Sequence, residues 1–366
     1  MSTTTRIHLQ RGLFGEKEKT VLEHGSLTVS AFTYSTGVEA LRLKNSRGEI
    51  VLLPYQGQQV WSASFDGREL TMRSMFAEPV PTRDYLATYG AFLVHCGITA
   101  MGVPGPEDHH PLHGELPNAP YAGAYLEAGS DAGGGWVGVG GRYQHTLAFN
   151  RNYAAEPLVK LHEGASLIEI LMRVTNLMHV DMELMYMMHV NFRPVDRGRL
   201  VYSARPNPTE VKTHVSIPSH MQSSGSGSRL MEFLKRLEAN PSLHHVLAPD
   251  LCFDPEIVFT IRYRADSEGW AHSMQVHPDG WASYIRHRPQ ELDYGIRWIA
   301  RNADQDALGL VLPATAEHKG HAAAKAKGQL RSVRGGDTVE FHAEAGLLRA
   351  EEAKAMETRI GRILAL

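Results

Sequence analysis

The sequence predicts an all-β fold, a sandwich or a barrel, with few helices. Three observations lead to this expectation. Most of the 366-residue chain consists of short runs with alternating apolar residues, and these runs end at Gly, Pro, Asn or Asp. Only one stretch repeats its apolar residues at the helical period, so the alternation of strands and helices found in doubly wound sheets is missing. With 43% hydrophobic residues, the chain can bury a large core.

The strands are predicted where apolar and polar residues alternate with a period of two. The clearest is 166–176, in which Ile168, Ile170 and Met172 share one face. The next, 182–192, places Tyr186 on one face and His189 on the other. The full set of predicted strands is 27–32, 40–43, 48–53, 166–176, 182–192, 256–264, 271–276, 282–288, 294–299, 308–312 and 338–345.

One helix is predicted over 229–239, where Leu230, Leu234 and Leu237 recur at the helical period. A run of Ser and Gly before it predicts a flexible polar loop. Because strand patterns of the same kind resume afterwards, we interpret about 220–245 as a loop-helix insertion within a single domain that covers 1–366.

The glycine-rich run 129–141 matches the letters of a dinucleotide-binding motif, G-x-G-x-x-G, at Gly133, Gly135 and Gly138. That motif needs an apolar strand directly before it and a helix directly after it, and the sequence predicts neither. The run therefore predicts a hairpin or a bulged strand edge.

Composition excludes several classes of protein. The formal net charge of -3 and the absence of a basic stripe argue against nucleic acid or an anionic membrane as partner. The chain has two cysteines, Cys96 and Cys252, too few and too distant for a disulfide framework. The first residues lack the apolar core of a secretory signal. These features predict a soluble cytoplasmic protein.

The segment 107–118 holds three histidines and three carboxylates within nine residues, together with two prolines and a glycine. Such a segment is a loop or a strand end, where functional groups concentrate. His113 and Glu115 are two residues apart and would share a face in extended chain, as a proton-transfer pair or as two metal ligands. His109 and His110 are adjacent and would point to opposite sides, so we expect them at the rim. The alternative is a solvated polar loop.

Two further segments carry candidate groups. His189 lies in an apolar strand with Asn191 on the same face, and an amide beside an imidazole suits a pocket for sugar hydroxyls. Buried histidines in strands are, however, more often satisfied core residues than catalysts. After the strand 308–312 the chain reads Glu317-His318-Lys319, which is either a functional loop or a solvated one. Other polar candidates, each open to a structural reading, are Arg83, Asn118 and Asp254.

These motifs together resemble the aldose 1-epimerase (galactose mutarotase-like) superfamily, and in particular a poorly characterised bacterial aldose epimerase-like branch. Pro111-Leu112-His113-Gly114-Glu115 is similar to its Leu-His-Gly motif, and Met188-His189-Val190-Asn191-Phe192 to its second histidine motif. Trp298 and the stretch Gly309-Leu310-Val311-Leu312-Pro313 resemble the segment that carries its acid, and Gly328-Gln329-Leu330 and Gly335-Gly336-Asp337 resemble its closing strands. The order holds over roughly positions 40 to 348.

The resemblance implies a large antiparallel β-sandwich with a site on a concave sheet face, and an isomerase that needs no metal or organic cofactor. It implies that His189 is the general acid at the ring oxygen of a pyranose and that His113 assists it. The resemblance places the glutamate base at Leu312 or Pro313, and neither residue can accept a proton. Glu317, a few residues downstream, or Glu115 then becomes the candidate base.

Three hypotheses follow. The first is a sugar mutarotase or epimerase that uses His189, His113 and a carboxylate, Glu317 or Glu115, with Asn191, Asn118, Arg83 and Asp254 as substrate-binding residues. The second keeps the fold but binds a divalent metal such as Zn or Mn through His95, His113, Glu115 and His189, as a sugar isomerase, epimerase or lyase would. The third is a non-catalytic sugar-binding protein. All three predict a small-molecule carbohydrate as partner, and a homodimer is possible.

Overall fold

The computed structural model describes residues 4–215, 225–249 and 253–366. Within them the chain forms two large sheets in which every pairing between named strands is antiparallel. The apolar side chains between the sheets form one extensive core. The predicted all-β sandwich is confirmed.

The first sheet has nine strands. In spatial order these are β1 (Thr5–His8), β9 (Gly123–Asp131), β10 (Gly134–Leu147), β11 (Arg151–His162), β12 (Leu167–Asn176), β22 (Thr338–Leu348), β18 (Ala282–His287), β17 (Ala271–Val276) and β14 (Arg199–Tyr202).

The second sheet has 13 strands. In spatial order it contains β15 (Val211–Thr213), β16 (Phe253–Ile261), β19 (Tyr294–Arg301), β20 (Asp306–Ala314), β13 (Met182–Val190), β8 (Leu93–Ile98), β6 (Val60–Phe65), β5 (Gly48–Leu52), β4 (Glu39–Lys44), β3 (Leu27–Thr33) and β2 (Lys19–His24), with β21 (Arg331–Val333) beside β13 and β7 (Arg68–Glu69) beside β6.

The helices of the described residues are α1 (Gly225–Ala239), α2 (His321–Ala326) and α3 (Ala350–Ala365), with 3-10 turns at Arg11–Leu13 and Pro241–His244. Helix α1 is the predicted helix, and it lies in the chain between β15 and β16, which pair with each other. Residues 220–224 of the predicted insertion lie outside the described residues, as does Cys252. No helix of the described chain is long and apolar enough to cross a membrane.

All 11 predicted strands are present, with ends that differ by a few residues. The glycine-rich run forms the hairpin between β9 and β10, as predicted. Helix α3 was not predicted from the sequence, because its buried stripe is sparse and consists of Ala353, Ile360 and Ile363. The helix begins where the side chain of Glu352 accepts a hydrogen bond from the backbone N–H of Arg349.

Strand β13 carries His189 and is buried on both faces, so the face on which His189 lies determines the position of the candidate site. Tyr186 and Met188 point into the core between the sheets. Met187 belongs to a second apolar cluster on the outer face of the 13-stranded sheet, and His189 shares that face because side chains alternate along a strand. Loops cover this outer face, so polar groups on it are removed from bulk water.

Candidate functional site

A cavity of about 280 Å³ lies on the outer face of the 13-stranded sheet. Its floor comes from strands β13, β16, β19 and β20, and its walls come from the loops around positions 85–89, 103–113 and 318. Aromatic and aliphatic side chains dominate the lining, with three imidazoles among them. The lining residues are Tyr85, Leu86, Tyr89, Val103, Leu112, His113, Met187, His189, Glu256, Val258, Ile296, Trp298, Ala300, Gln305, Leu312 and His318.

His189 is held in one orientation at the cavity floor. Its Nδ1 lies 2.7 Å from Asn191 Oδ1, and Asn191 Nδ2 donates to the backbone oxygen of Ala91 at 3.0 Å. Because the amide group donates to Ala91, its oxygen faces His189, and the Nδ1–H donates to it. The neutral imidazole therefore leaves Nε2 as a proton acceptor for a ligand. Burial lowers the pKa of His189 to about 4, although the hydrogen bond to Asn191 opposes this shift.

His113 faces His189 across the cavity, with 5.4 Å between ring centroids and an interplanar angle of 85°. Its backbone has φ of 60°, and Gly114 follows with φ of 84°. A side chain at Gly114 would place its Cβ 2.2 Å from the Ala100 oxygen, so this turn requires glycine. Burial first, and then the charge of His189, lower the pKa of His113 well below its usual value. Its Nδ1 is buried without a hydrogen-bond partner among the described residues.

Aromatic rings surround the two histidines. Trp298 lies 5.4 Å from His189 and Tyr89 lies 6.1 Å from it, both edge to face. Tyr85 packs on His113 with 4.9 Å between centroids. The indole N–H of Trp298 donates to Glu256, an exposed residue that is the one carboxylate among the described residues lining the cavity.

A third imidazole, His318, closes one end of the cavity. Its ring contacts His214 edge to face at 4.7 Å, and the Nε2 of His214 pairs with Thr260 Oγ1 at 2.8 Å. The Nδ1 of His318 is buried without a partner in the described part of the chain. Burial lowers the pKa of His318 well below its usual value and that of His214 to about 4. All three cavity histidines are therefore neutral at pH 7.

Comparison with known proteins agrees with this architecture. A family described as "Domain of unknown function (DUF4432)" matches residues 35–204, and no curated protein matches the chain. Among solved structures, a putative aldose 1-epimerase from Klebsiella pneumoniae superimposes with a TM-score of 0.79 at 15% identity, over 100% of this chain and 96% of that chain. A galactose mutarotase-like protein from Clostridium acetobutylicum gives a TM-score of 0.59 at 10% identity, over 89% of this chain and 100% of that chain.

The chain has the galactose mutarotase-like fold. The resemblance noted in the sequence is thus confirmed at the level of architecture. In this fold the resemblance places a carboxylate base at Leu312 or Pro313. The structure shows Leu312 buried in the cavity lining, so an aliphatic side chain occupies that position.

Glu115 does not share a face with His113, contrary to the prediction. That prediction assumed extended chain, but the left-handed turn at His113 and Gly114 sends the two side chains apart. The Oε1 of Glu115 accepts from the backbone N–H of Thr99 at 2.9 Å, from that of Ile98 at 3.2 Å and from the hydroxyl of Tyr153 at 2.6 Å. The Oε2 accepts from the Thr99 hydroxyl at 2.9 Å. The structure makes Glu115 a clamp on the backbone after β8.

Glu115→Ala is therefore expected to reduce the free energy of unfolding by about 3–4 kcal/mol, since it strips four donors, two buried and two part-buried, of their acceptor at roughly 1 kcal/mol each. Glu115→Gln is the matched control. Its amide oxygen can replace Oε1 and its NH2 can donate to the Thr99 hydroxyl, so we expect about 1 kcal/mol. Urea denaturation followed by fluorescence measures both. Equal stability of Glu115→Ala and wild type would contradict the clamp.

Glu317 lies outside the cavity lining. Its carboxylate pairs closely with the ammonium of Lys327, and Lys212 Nζ is 3.9 Å from its other oxygen. Although burial opposes the shift, the hydrogen bond and charge of Lys327 hold the pKa of Glu317 below its usual value. The structure thus places both predicted carboxylates away from the two histidines.

The predicted substrate-binding residues are dispersed. Asn191 is the one beside the cavity, where it orients His189. Asn118 is buried, donates to the Asp84 oxygen at 3.0 Å and accepts from Gln59 at 2.8 Å. Arg83 donates to the backbone oxygens of Asn118 and Glu115 at 2.7 and 3.0 Å. Asp254 belongs to β16, but its side chain lies outside the described residues. His109 and His110 do not line the cavity.

The predicted metal-ligand set is not brought together. In the register of β8 and β13, His95 is paired with Met188 and Val94 with His189. Paired residues share a sheet face, so His95 lies on the core side and His189 on the cavity side. His95 is fully buried, with its Nδ1 2.6 Å from the hydroxyl of Tyr186. In the described ranges, no three His, Cys, Asp or Glu residues are grouped so that they could hold a metal ion.

Several residues that line the cavity were not predicted from the sequence to be site residues. Trp298 and Glu256 come from strands that the sequence predicts, and their alternation places both on the outer face. Tyr85 and Tyr89 come from a loop whose position depends on long-range packing, so no local pattern identifies them. His318 stood in a candidate loop, but only the folded chain brings it beside His113.

Proposed function

We propose that the protein is a carbohydrate-active isomerase that interconverts the anomers of a sugar bound in the cavity between His189 and His113. The observation that carries the proposal is the imidazole of His189, fixed through Nδ1 by Asn191 and free at Nε2 beside a cavity for one small molecule. The galactose mutarotase-like fold, and a structural neighbour named as a putative aldose 1-epimerase, support this reaction class. Trp298, Tyr89 and Tyr85 give the cavity apolar surfaces suited to the C–H faces of a sugar ring.

In the proposed mechanism, Nε2 of His189 takes the proton of the anomeric hydroxyl. The C1–O1 bond becomes a carbonyl, the bond between C1 and the ring oxygen breaks, and the ring oxygen takes the proton from the imidazolium. Both oxygens are bonded to C1, so one nitrogen can serve both without a separate carboxylate. After rotation about C1–C2 the steps reverse and yield the other anomer. His113 supplies a second hydrogen bond to one of the reacting oxygens.

The pH dependence of kcat/KM follows from the pKa of His189. Burial lowers that pKa to about 4, so the imidazole stays neutral where a free histidine, with a pKa of 6.5, becomes protonated. We expect kcat/KM to stay level from about pH 8 down to about pH 5.5. Initial rates measured across this range test the assignment. A loss of half the activity near pH 6.5 would show that His189 is not the acceptor.

The function itself is tested by anomer exchange. Purified protein is added to aldoses at equilibrium, and saturation transfer between the C1 protons of the two anomers is measured by NMR. We expect exchange well above the buffer rate for at least one aldose. If sugars bind in calorimetry but no exchange exceeds buffer, the protein is the non-catalytic sugar-binding protein of the third hypothesis. Leu312 at the expected base position is the observation that favours that outcome.

A further inference from the structure

The end of the hairpin formed by β10 and β11 leaves one strand edge open. Strand β10 pairs with β9 from Gly134 to Arg142, and it pairs with β11 as far as Leu147. In the described part of the chain, residues 143–147 are therefore paired on one side only. Alternate residues of such a strand direct their N–H and C=O groups away from the neighbouring strand, so this edge can accept another strand.

The open edge lacks the charged residues that the outermost strands of the two sheets carry. Residues 143–149 contain no Asp, Glu, Lys or Arg, and the neighbouring Arg142 is paired with Glu156 at 3.3 Å. A charge on an edge strand opposes pairing with another chain. Each outermost strand has a basic residue of this kind: Arg6 in β1, Arg199 in β14, Lys212 in β15 and Lys19 in β2. At 143–147 no such charge opposes pairing.

The tip of the same hairpin exposes two large apolar side chains. Leu147 is 55% exposed and Phe149 is fully exposed. Phe149 also has φ of 64°, a left-handed conformation that costs a bulky residue free energy, and no burial in the described chain offsets this cost. Behind the tip, the ring of His145 packs between Tyr143 and Tyr153, with centroid distances of 6.1 and 5.4 Å. The hairpin end is thus an ordered, uncharged surface with exposed apolar groups.

We propose that this edge is a homodimer interface, in which residues 143–147 of two copies pair as antiparallel strands about a two-fold axis at His145. This register uses every residue of the open edge. Paired residues share a sheet face, so Tyr143 lies opposite the partner's Leu147, and Gln144 lies opposite the partner's Thr146. The first pair is apolar and the second is polar. The edge is therefore complementary to itself, as a two-fold interface requires.

The same register gives Phe149 a contact. The turn of the second copy reaches the start of β9, where Ala122 and Gly123 are exposed and open space lies above Gly123. The partner's Phe149 lies over this surface, so association removes from water a ring that the single chain leaves exposed. The inference does not depend on the proposed function, because none of residues 143–149 lines the cavity.

Sedimentation equilibrium of the whole protein tests for the dimer. An edge of this length makes a small interface, so we expect a dissociation constant of about 1–100 µM. The average mass should rise from that of one chain toward that of two as the protein concentration increases from about 1 to about 500 µM. A protein that stays monomeric throughout this range would overturn the inference.

Charges introduced at the edge should weaken the dimer. When Gln144→Lys is combined with Thr146→Lys, each new ammonium group lies opposite one of the second copy, and we expect the dissociation constant to rise about tenfold or more. Both positions are exposed, so the single chain should stay folded. The combination of Thr338→Lys and Thr358→Lys is the matched control, because it adds the same charge at exposed positions outside the hairpin. An unchanged dissociation constant in the edge variant would place the dimer contact elsewhere and overturn the inference.

A cysteine at the two-fold axis tests the register. A residue on this axis faces its own copy, with about 4.5–5.5 Å between the Cα atoms, and a disulfide spans that distance. Cys96 is buried, so in a Cys252→Ser background His145→Cys should form a crosslinked dimer on mild oxidation. Thr146→Cys is the control, because its two copies lie diagonally, about 7–8 Å apart, which is too far for a disulfide. If both variants crosslink equally, or neither does, the pairing about His145 is wrong.

Discussion

Replacing His189 by glutamine is expected to lower kcat for anomer exchange by about 10²- to 10⁴-fold, the range for loss of a general acid-base group. Glutamine keeps a polar side chain of similar reach against Asn191, so the packing of β13 is preserved. It cannot accept a proton from the anomeric hydroxyl at neutral pH. NMR saturation transfer measures the rate, and thermal unfolding of the same sample establishes that the variant is folded.

Two companion variants separate chemistry from positioning. Asn191→Ala removes the acceptor of the His189 Nδ1–H, so the imidazole loses its fixed tautomer, and we expect about a tenfold lower kcat with little change in KM. His95→Gln is the control, since His95 lies on β8 next to this strand but on the opposite sheet face. Its kcat should match wild type. Turnover by His189→Gln close to that of wild type would remove His189 from the mechanism.

Much of the fold could be predicted from the sequence because alternation is a local signal. In β12 and β13 the period of two is unambiguous, and both strands fall within a few residues of their predicted positions. The apolar face of β13 was also assigned, so His189 was expected opposite Tyr186. Local patterns could not predict which strands pair when they are far apart in the chain, as β12 and β22 are.

Part of the candidate site could also be predicted, because alternation along a strand is a local signal. His189 and Asn191 share a regular strand, so spacing determined their relation. His113 and Glu115 lie at a turn with positive φ, and there the rule of alternation fails. The contacts that make Glu115 a clamp come from β8 and from Tyr153 on β11, residues that no spacing rule connects. His318 is recognised as a cavity residue only once its neighbours in space are known.

The second large effect expected of this chain is unfolding in mild acid. His95, His189, His277 and His287 are each at most 6% exposed. Burial lowers the pKa of His95 and His287 to about 3 and that of His189 and His277 to about 4. In the unfolded chain the same groups titrate near 6.5. Between about pH 6.5 and 4, the unfolded state therefore binds more protons than the folded state.

By linkage, the free energy of unfolding falls as pH decreases through that window. Each such histidine contributes about 1.4 kcal/mol per pH unit, so four of them contribute about 5 kcal/mol per pH unit once the unfolded chain is fully protonated. A total stability of about 5–15 kcal/mol would be lost within about one to three units of pH below 6.5. We expect cooperative loss of the folded state with a midpoint between about pH 3.5 and 5.5, measured by tryptophan fluorescence and circular dichroism.

Single substitutions can test the origin of this slope. The side chain of His287 makes no hydrogen bond within the described residues, so His287→Leu removes one titrating group without stripping a partner, and it should reduce the stability lost between pH 7 and 5.5 by about 1.3 kcal/mol. His342 is the control of opposite sign, because Glu291 raises its pKa. Its stabilisation is fully present below the unfolded pKa of about 6.5 and is lost as pH rises through the folded value. His342→Gln should therefore lower the free energy of unfolding by a constant amount below pH 6.5 and leave the acid slope unchanged. If His287→Leu leaves the slope unchanged in urea titrations at pH 7 and 5.5, then the buried histidines are not the cause, and the protonation of paired carboxylates at lower pH would have to explain acid unfolding.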